Sequence, residues 1–189
     1  MEFSNFLEWN KFNMSNLRLL NQTTISSSTS ALSITDVFSA DFDIYKIVAS
    51  GILLTGTTQT NLSMRLINTS GSVLSGASDY AYATEEQTSY QAFSEYKDGS
   101  GSLWQNFFGK DDGAEGSSAI IYVFNPYSSS SYTFGLSQSV GDNGTNFVFY
   151  KNIGVYMQTE SISGFQLLET ATRPFDEGLI KTYGLRVDT

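Results

Sequence analysis

The chain has 189 residues, which is enough for one well-packed domain and short for two. Its formal net charge of −9 at pH 7 argues against a nucleic-acid-binding protein and a polybasic membrane-surface protein, because both need clustered Lys and Arg. Cysteine and histidine are absent, which excludes disulfides, thiolate catalysis and the side chain most often used as a general base or metal ligand. We therefore expect a globular protein that binds neither nucleic acid nor a membrane.

Residues 1–30 are predicted to form an N-terminal arm and hinge, ahead of a domain at 31–189. The opening MEFSNFLEWN lacks the basic region and apolar core of a secretion signal, so we expect synthesis in a cytoplasm without processing. The arm is rich in apolar side chains without a clear period, and it must pack on its own domain or on a neighbouring chain. Both alternatives stay open. The candidate anchoring residues are Phe3, Phe6, Leu7, Trp9, Phe12, Leu17, Leu19 and Leu20.

The first clear strand signals follow the hinge. In FDIYKIVASGILL, alternation places Tyr45, Ile47 and Ala49 on one face, and Gly51 is a candidate bulge. In TNLSMRLINT, the residues Leu62, Met64 and Leu66 share a face, whereas Ser63 and Arg65 share the other. Both segments are predicted to be β-strands.

Residues 78–116 contain scattered aromatic side chains and two glycine-rich turns, which we interpret as two or three short strands with wide loops. The aromatics could form an outer-loop contact, for example by stacking on sugar rings, or could belong to the core or to subunit contacts. The candidate outer-loop contact residues are Tyr80, Tyr82, Tyr90, Phe93, Tyr96 and Trp104.

Strand signals then recur every 10 to 15 residues to the end of the chain, with polar turns between them and no helical period. This spacing predicts an all-β fold, an antiparallel β-sandwich of jelly-roll-like type with an extended N-terminal arm. The predicted strands contain SSAIIYVF, SYTFGLSQSV, NFVFYKNIGVYMQ, SISGFQLLET and, from Leu179 to Val187, LIKTYGLRV.

No motif in the chain predicts catalysis. The acidic turns around Asp98 and around Asp111, Asp112 and Glu115 could bind Ca²⁺ through carboxylates, but they do not have EF-hand spacing, and Asp-Gly is an ordinary turn signal. The adjacent carboxylates at 85 and 86 should point to opposite faces of a strand, so they would not converge on a sugar. We expect no enzyme activity, no cofactor and no metal.

The order of the strong segments resembles a β-sandwich domain of virion structural proteins in tailed bacteriophages, especially marine and cyanobacterial ones. The matching segments are VFSADFDIYKIVASGI, TNLSMRLINTSGS, EGSSAIIYVFNPYSSSSYT and ISGFQLLETATRPFDEGLIKTYGLR, so the resemblance covers about Val37 to Arg186 and leaves the arm outside. The resemblance implies that SGFQLLET and GLIKTYGLRV pair as a last antiparallel hairpin. Gly184 would there allow a bulge or a close backbone approach.

The resemblance further implies a virion component that is synthesised in the host cytoplasm. One role is a capsid decoration, cement or head-fibre protein that is attached through its N-terminal arm. The alternative is a tail-fibre or baseplate domain that binds host surface carbohydrate. The implied partners are the major capsid protein or tail components, and further copies of the chain in a homo-oligomer, with a trimer as one form.

Overall fold

A computed structural model of the chain describes residues 16–26, 29–90, 93–111, 115–171 and 173–185. These residues form twelve β-strands, and no helix occurs among them. The strands are β1 (Leu17–Ile25), β2 (Ala31–Ile34), β3 (Ile44–Leu54), β4 (Thr60–Asn68), β5 (Tyr80–Thr88), β6 (Ser94–Gly101), β7 (Trp104–Asp111), β8 (Ser117–Phe124), β9 (Thr133–Asp142), β10 (Phe147–Tyr156), β11 (Ile162–Glu169) and β12 (Phe175–Leu185).

The strands form two antiparallel sheets, which confirms the predicted all-β sandwich. The large sheet has eight strands in the order β1-β12-β3-β8-β9-β10-β5-β6, and the small sheet has four in the order β2-β11-β4-β7. The hydrophobic core lies between the two sheets and draws on both. Because a sheet has two faces and the small sheet lies on one of them, the large sheet is left with a second face that points away from the core.

The alternation predicted for the first strands is confirmed. Tyr45, Ile47 and Ala49 of β3 are all buried in the core, as are Leu62, Met64 and Leu66 of β4. Gly51 has a φ of +57°, and the register between β3 and β8 shifts next to it, so the predicted bulge is present. Ser63 is buried as well, and the register between β4 and β7 shifts at this residue.

A stacked pair of aromatic rings joins the two sheets. The rings of Trp104 and Phe107, both on β7, lie 4.9 Å apart at an interplanar angle of 22°, and both side chains are fully buried. They rest on two glycines that face each other across β9 and β10, Gly135 and Gly154. A Cβ on Gly154 would lie 2.7 Å from the indole Nε1, and one on Gly135 would lie 2.8 Å from the Phe107 ring. Only glycine therefore lets the rings lie this close to the large sheet.

A bulge in β7 brings both rings to the same side. Asn106 lies between them with a φ of +59°, and the pairing of β7 with β4 is irregular over this stretch. The Asn106 carbonyl accepts a hydrogen bond from Nδ2 of Asn152, which is fully buried on β10 (3.1 Å). Thr84 Oγ1 in turn donates to Asn152 Oδ1 (2.6 Å). This buried chain of hydrogen bonds satisfies the backbone that the bulge leaves out of the ladder.

A buried arginine connects the two sheets where β3 and β7 end. Arg173 lies between β11 and β12, and its guanidinium donates to the carbonyls of Thr55 (2.7 Å) and Leu54 (3.2 Å). It also pairs with the fully buried carboxylate of Asp111 at 3.5 Å, and that carboxylate accepts the Leu54 amide. The end of β3 in the large sheet, the end of β7 in the small sheet and the connection between β11 and β12 thus meet at one side chain.

The predicted last hairpin is wrong. β11 pairs with β2 and β4 in the small sheet, whereas β12 pairs with β1 and β3 in the large sheet. The connection crosses from one sheet to the other, and Arg173 anchors it there. Of the two roles predicted for Gly184, the structure has the close approach. The pairing of β12 with β3 is regular at Gly184, and a Cβ there would lie 2.5 Å from the Phe42 ring.

The described part of the predicted arm belongs to the sheet. Leu17–Ile25 pairs with β12 along its whole length and forms an edge of the large sheet, so this stretch packs on its own domain. Leu20 and Ile25 contact the core, which favours this pairing over an extended arm. Phe3, Phe6, Leu7, Trp9 and Phe12 lie outside the described residues.

Replacing Gly154 with Ala should lower the free energy of unfolding by about 1–3 kcal/mol, because the new methyl group overlaps Trp104 and Phe107. Urea denaturation measures the change. Gly99→Ala is the matched control in a strand, since a Cβ at Gly99 meets no atom within 4 Å. Equal stability of both variants would contradict the packing described for the two rings.

Replacing Arg173 with Met should cost about 3–5 kcal/mol, because the Asp111 carboxylate is then buried without its cation. Arg18→Met, at an exposed position of β1, should change stability by less than about 0.5 kcal/mol. The double variant Arg173→Met/Asp111→Leu should regain part of the loss in the same denaturation experiment. If Arg173→Met and Arg18→Met unfold at the same urea concentration, the buried pair does not hold the sheets together.

Candidate functional site

The outer face of the large sheet, defined as the face turned away from the small sheet, is unusually apolar. Along β10 the inward positions Val148, Tyr150 and Asn152 are buried, so the outward positions carry the solvent-facing side chains. Seven large apolar residues on this face are between 41% and 58% exposed, namely Leu19, Ile120, Phe134, Val140, Phe147, Phe149 and Ile153. Monomeric proteins rarely expose a contiguous apolar surface of this kind unless it binds something.

One cross-strand row of the outer face is apolar in seven strands. Each residue of this row is the cross-strand partner of the next one on the neighbouring strand, from the edge strand β1 to β5. We call this set the apolar row; its members, in order across the sheet, are Leu17, Leu185, Ile44, Phe124, Phe134, Val155 and Ala81. Cross-strand neighbours on one face lie close enough to form a continuous surface.

Positive charge is concentrated next to the apolar row. The next two cross-strand rows of the outer face, beside the apolar row, carry four lysines and two glutamates. These residues are Lys46, Lys97, Lys151, Lys181, Glu85 and Glu95. This surplus of cations contrasts with the formal charge of −9 of the whole chain. The outer face is therefore suited to an apolar partner that also carries some acidic groups.

Grooves cross the outer face, and two of them are large. The larger, of about 610 Å³, runs over β3, β8, β9, β10 and β5, and Phe93 and Phe149 line it together with Gln87, Gln138 and Lys151. The second, of about 580 Å³, is more apolar and includes Phe124 and Phe134 of the apolar row. The outer face thus combines aromatic side chains with a few hydrogen-bonding groups.

The structure corrects two of the predicted outer-loop residues. Tyr80 and Trp104 are fully buried in the core, where their rings meet edge to face at 5.8 Å. The Tyr80 hydroxyl accepts the Leu66 amide and donates to the Leu74 carbonyl, at 2.9 Å in both cases. Aromatic content alone could not separate these two residues from the exposed ones, because both kinds occur within a short stretch of sequence.

The other four predicted contact residues are at least partly exposed but do not form one cluster. Tyr90 is 82% exposed at the end of β5, and Phe93 is 71% exposed and lines the larger groove. Tyr82 and Tyr96 project from the opposite face of the sheet, because their cross-strand partners face the core. Tyr82 is half-buried and donates to Gln105 Oε1 at 2.5 Å. Only Phe93 therefore contributes to the outer face.

Of the predicted anchoring residues in β1, two lie on the outer face. The pairing with β12 places Leu17 and Leu19 there, and Leu20 packs on the core.

The sequence analysis did not predict most of the remaining outer face. The available signal was NFVFYKNIGVY, whose two alternating sets are both largely apolar, so this strand needs a partner on each face.

No arrangement of described side chains indicates catalysis. Glu85 is exposed and Glu86 is buried, so the two carboxylates diverge as predicted. Asp111, one of the candidate calcium ligands, is paired with Arg173, and Asp112 lies outside the described residues. In the described ranges no group of three or more acidic side chains is placed to hold a metal ion. Nor does that part of the chain contain a helix long and apolar enough to cross a membrane.

No protein-family model matches the chain, and no curated protein matches it. Among solved structures, the chain is similar to one described as a crystal structure of a human SPRY domain. The sequence identity is 11% and the TM-score is 0.23, with 89% of this chain and 99% of that chain covered. At this TM-score the likeness carries no argument about fold or function.

Buried tyrosines make the sandwich sensitive to alkali. Burial raises the pKa of Tyr80 far above its ordinary value of about 10. Burial also raises the pKa of Tyr150, with a further contribution from the Glu86 carboxylate. The protonated form is therefore favoured in the folded state, and ionisation near pH 10 is easier in the unfolded chain.

The free energy of unfolding should be constant up to about pH 9 and should fall as the pH rises above about 10, because the unfolded state then binds fewer protons than the folded state. Urea melts across this range, read by near-ultraviolet circular dichroism, measure the effect. Tyr150→Phe removes one of the ionising groups and should make the decline less steep. A stability that does not change from neutral pH to pH ~11 would show that these hydroxyls are not held protonated by the fold.

Proposed function

We propose that this protein is a structural component of a tailed-bacteriophage virion, and that it serves as a capsid decoration, cement or head-fibre protein. The outer face of the large sheet is the observation that carries the proposal. It gives a sandwich without a recognisable catalytic site a broad apolar surface that needs a partner. The resemblance of Val37 to Arg186 to virion sandwich domains supplies the biological setting.

The size of the outer face fits a protein interface. Eight strands about 4.8 Å apart and about eight residues long give a surface of about 34 Å by 27 Å, or roughly 900 Å². A stable protein–protein interface buries about 800 Å² on each partner. The whole face is therefore large enough for one such contact, whereas a small-molecule site would use only one of its grooves.

The proposed partners are the major capsid protein or, in a tail, the neighbouring tail components. Further copies of the chain complete the proposal, since decoration proteins that follow shell symmetry form homo-oligomers, for example trimers. The N-terminal segment is the second proposed attachment element. In this arrangement the rigid sandwich presents the outer face, and the segment before β1 adds apolar contacts.

Labelling the protein on intact particles with a specific antibody, followed by electron microscopy, tests the role. We expect label distributed over the head in a symmetric copy number. Label confined to the tail would support the tail-fibre or baseplate role instead. Absence of label from the whole particle would contradict both virion roles.

A reconstitution experiment tests the outer face itself. Recombinant protein carrying Phe149→Ser and Ile153→Ser should no longer sediment with particles that lack the protein, because the contact loses its central apolar side chains. Both side chains are about half exposed, so the variant should keep its thermal stability. Tyr127→Ser, at an exposed loop position, is the control and should still bind. Binding of both variants would place the contact elsewhere.

The larger groove favours a second candidate, a tail-fibre or baseplate domain that binds host surface carbohydrate. Phe93 and Phe149 offer ring faces, while Gln87, Gln138 and Lys151 offer hydrogen bonds, a combination suited to sugar rings. Titration with purified host polysaccharide would detect this activity, and Phe93→Ser should weaken it. Absence of binding by the unaltered protein would dismiss this candidate.

A further inference from the structure

We propose that a cleft between β6 and β7, on the side of the large sheet that faces the small sheet, binds a short uncharged saccharide. We call it the inner cleft. Its volume is about 480 Å³, within the usual range of ligand sites, and its lining includes Asn61, Tyr82, Tyr96, Gln105, Asn106 and Lys110. The inner cleft lies on the other side of the sheet from the outer face, so the inference goes beyond the proposed contact with virion proteins.

The inner cleft exists because the large sheet is wider than the small one. β7 is an edge strand of the small sheet and packs mainly on β8, β9 and β10, whereas β5 and β6 are the last two strands of the large sheet. No residue of β6 is buried, so the small sheet does not cover this strand. The inner side of β5 and β6 thus forms a floor, and the edge of β7 forms a wall beside it.

Two tyrosine rings belong to the floor of the inner cleft. Tyr82 on β5 is the cross-strand partner of Gly154, and Tyr96 on β6 is the partner of Thr84; both partners face the core. Tyr96 is 45% exposed, so its ring is accessible to a ligand. The C–H face of a sugar ring can stack on an aromatic ring of this kind.

The wall of the inner cleft supplies carboxamide groups. The Tyr82 hydroxyl donates to Gln105 Oε1 at 2.5 Å, and the amide nitrogen of Gln105 can then donate to a ligand. Asn61 on β4 is the cross-strand partner of Lys110 and adds a second amide. A carboxamide both donates and accepts, as a sugar hydroxyl does, so the two kinds of group can pair in either direction.

Asn106, which also lines the inner cleft, has an unmet hydrogen bond. The residue is 3% exposed, and its Oδ1 has no hydrogen-bond partner in the described part of the chain. A buried amide oxygen without a donor costs free energy. A hydroxyl group that enters the inner cleft can supply this donor, which distinguishes the cleft from an ordinary surface depression.

The charges around the inner cleft are balanced. Lys110 Nζ lies 3.3 Å from Glu86 Oε2, and both side chains are mostly buried. At the rim, Glu95 and Lys97 carry opposite charges. These four charges cancel, so the residues of the inner cleft favour an uncharged polar ligand over an anion or a cation.

Saturation-transfer NMR on the full-length protein tests the inference with lactose, maltose, cellobiose and N,N′-diacetylchitobiose as probes. We expect saturation of at least one probe. Tyr96→Ala should weaken its binding by about tenfold or more, because the exposed ring is lost, whereas Tyr96→Phe keeps the ring and should still bind. Tyr96 is nearly half exposed, so both variants should keep the melting temperature of the unaltered protein.

Phe93→Ser, in the larger groove of the outer face, is the matched control and should leave binding of the probe unchanged. Failure of every probe to bind the unaltered protein overturns the inference. Loss of binding in Phe93→Ser but not in Tyr96→Ala also overturns it, because the saccharide would then occupy the outer face. These results do not depend on whether the protein is found on particles, so the inference and the virion role can fail separately.

Discussion

The sandwich depends on the contact between two stacked rings and two glycines. Trp104 and Phe107 can lie against the large sheet only because Gly135 and Gly154 face each other at that point. The bulge at Asn106 turns both rings to the same side, and Asn152 satisfies the carbonyl that the bulge exposes. This contact fixes which face of β9 and β10 is internal. By the period of two in a strand, it also fixes which side chains of these strands point outward.

The composition of the outer face is thus a consequence of the core. Once Gly154 faces inward against Trp104, the neighbouring Ile153 must face outward, and the register carries this assignment to every strand of the large sheet. The small sheet occupies one face and leaves the other uncovered, with its apolar row, its lysines and its grooves. Under the proposed virion role, this uncovered face is the surface by which neighbouring proteins hold the sandwich.

Much of the fold could be predicted from local pattern, but the pairing of distant segments could not. Alternation in β3 and β4 placed Tyr45 with Ile47, and Leu62 with Met64, on one face of each strand, and these faces are buried. The predicted pairing of the last two strands failed because a short connection usually joins neighbours, whereas here Arg173 anchors a crossing between sheets. Trp104 was a candidate contact residue because a single sequence does not reveal the glycine pair that receives its ring. The outer face could be recognised only from the strand register, which places residues of seven strands in one cross-strand row.

The central claim is that the outer face is a covered surface of the assembled protein. Hydroxyl-radical footprinting tests it directly, by comparing side-chain oxidation in the particle-bound protein with that in the free recombinant protein. We expect Phe149 and Ile153 to be oxidised much less in the particle, while Tyr127, on an exposed loop, is oxidised equally in both samples. Equal oxidation of Phe149 and Ile153 in the two samples would contradict the claim, because the outer face would then remain open to solvent after assembly.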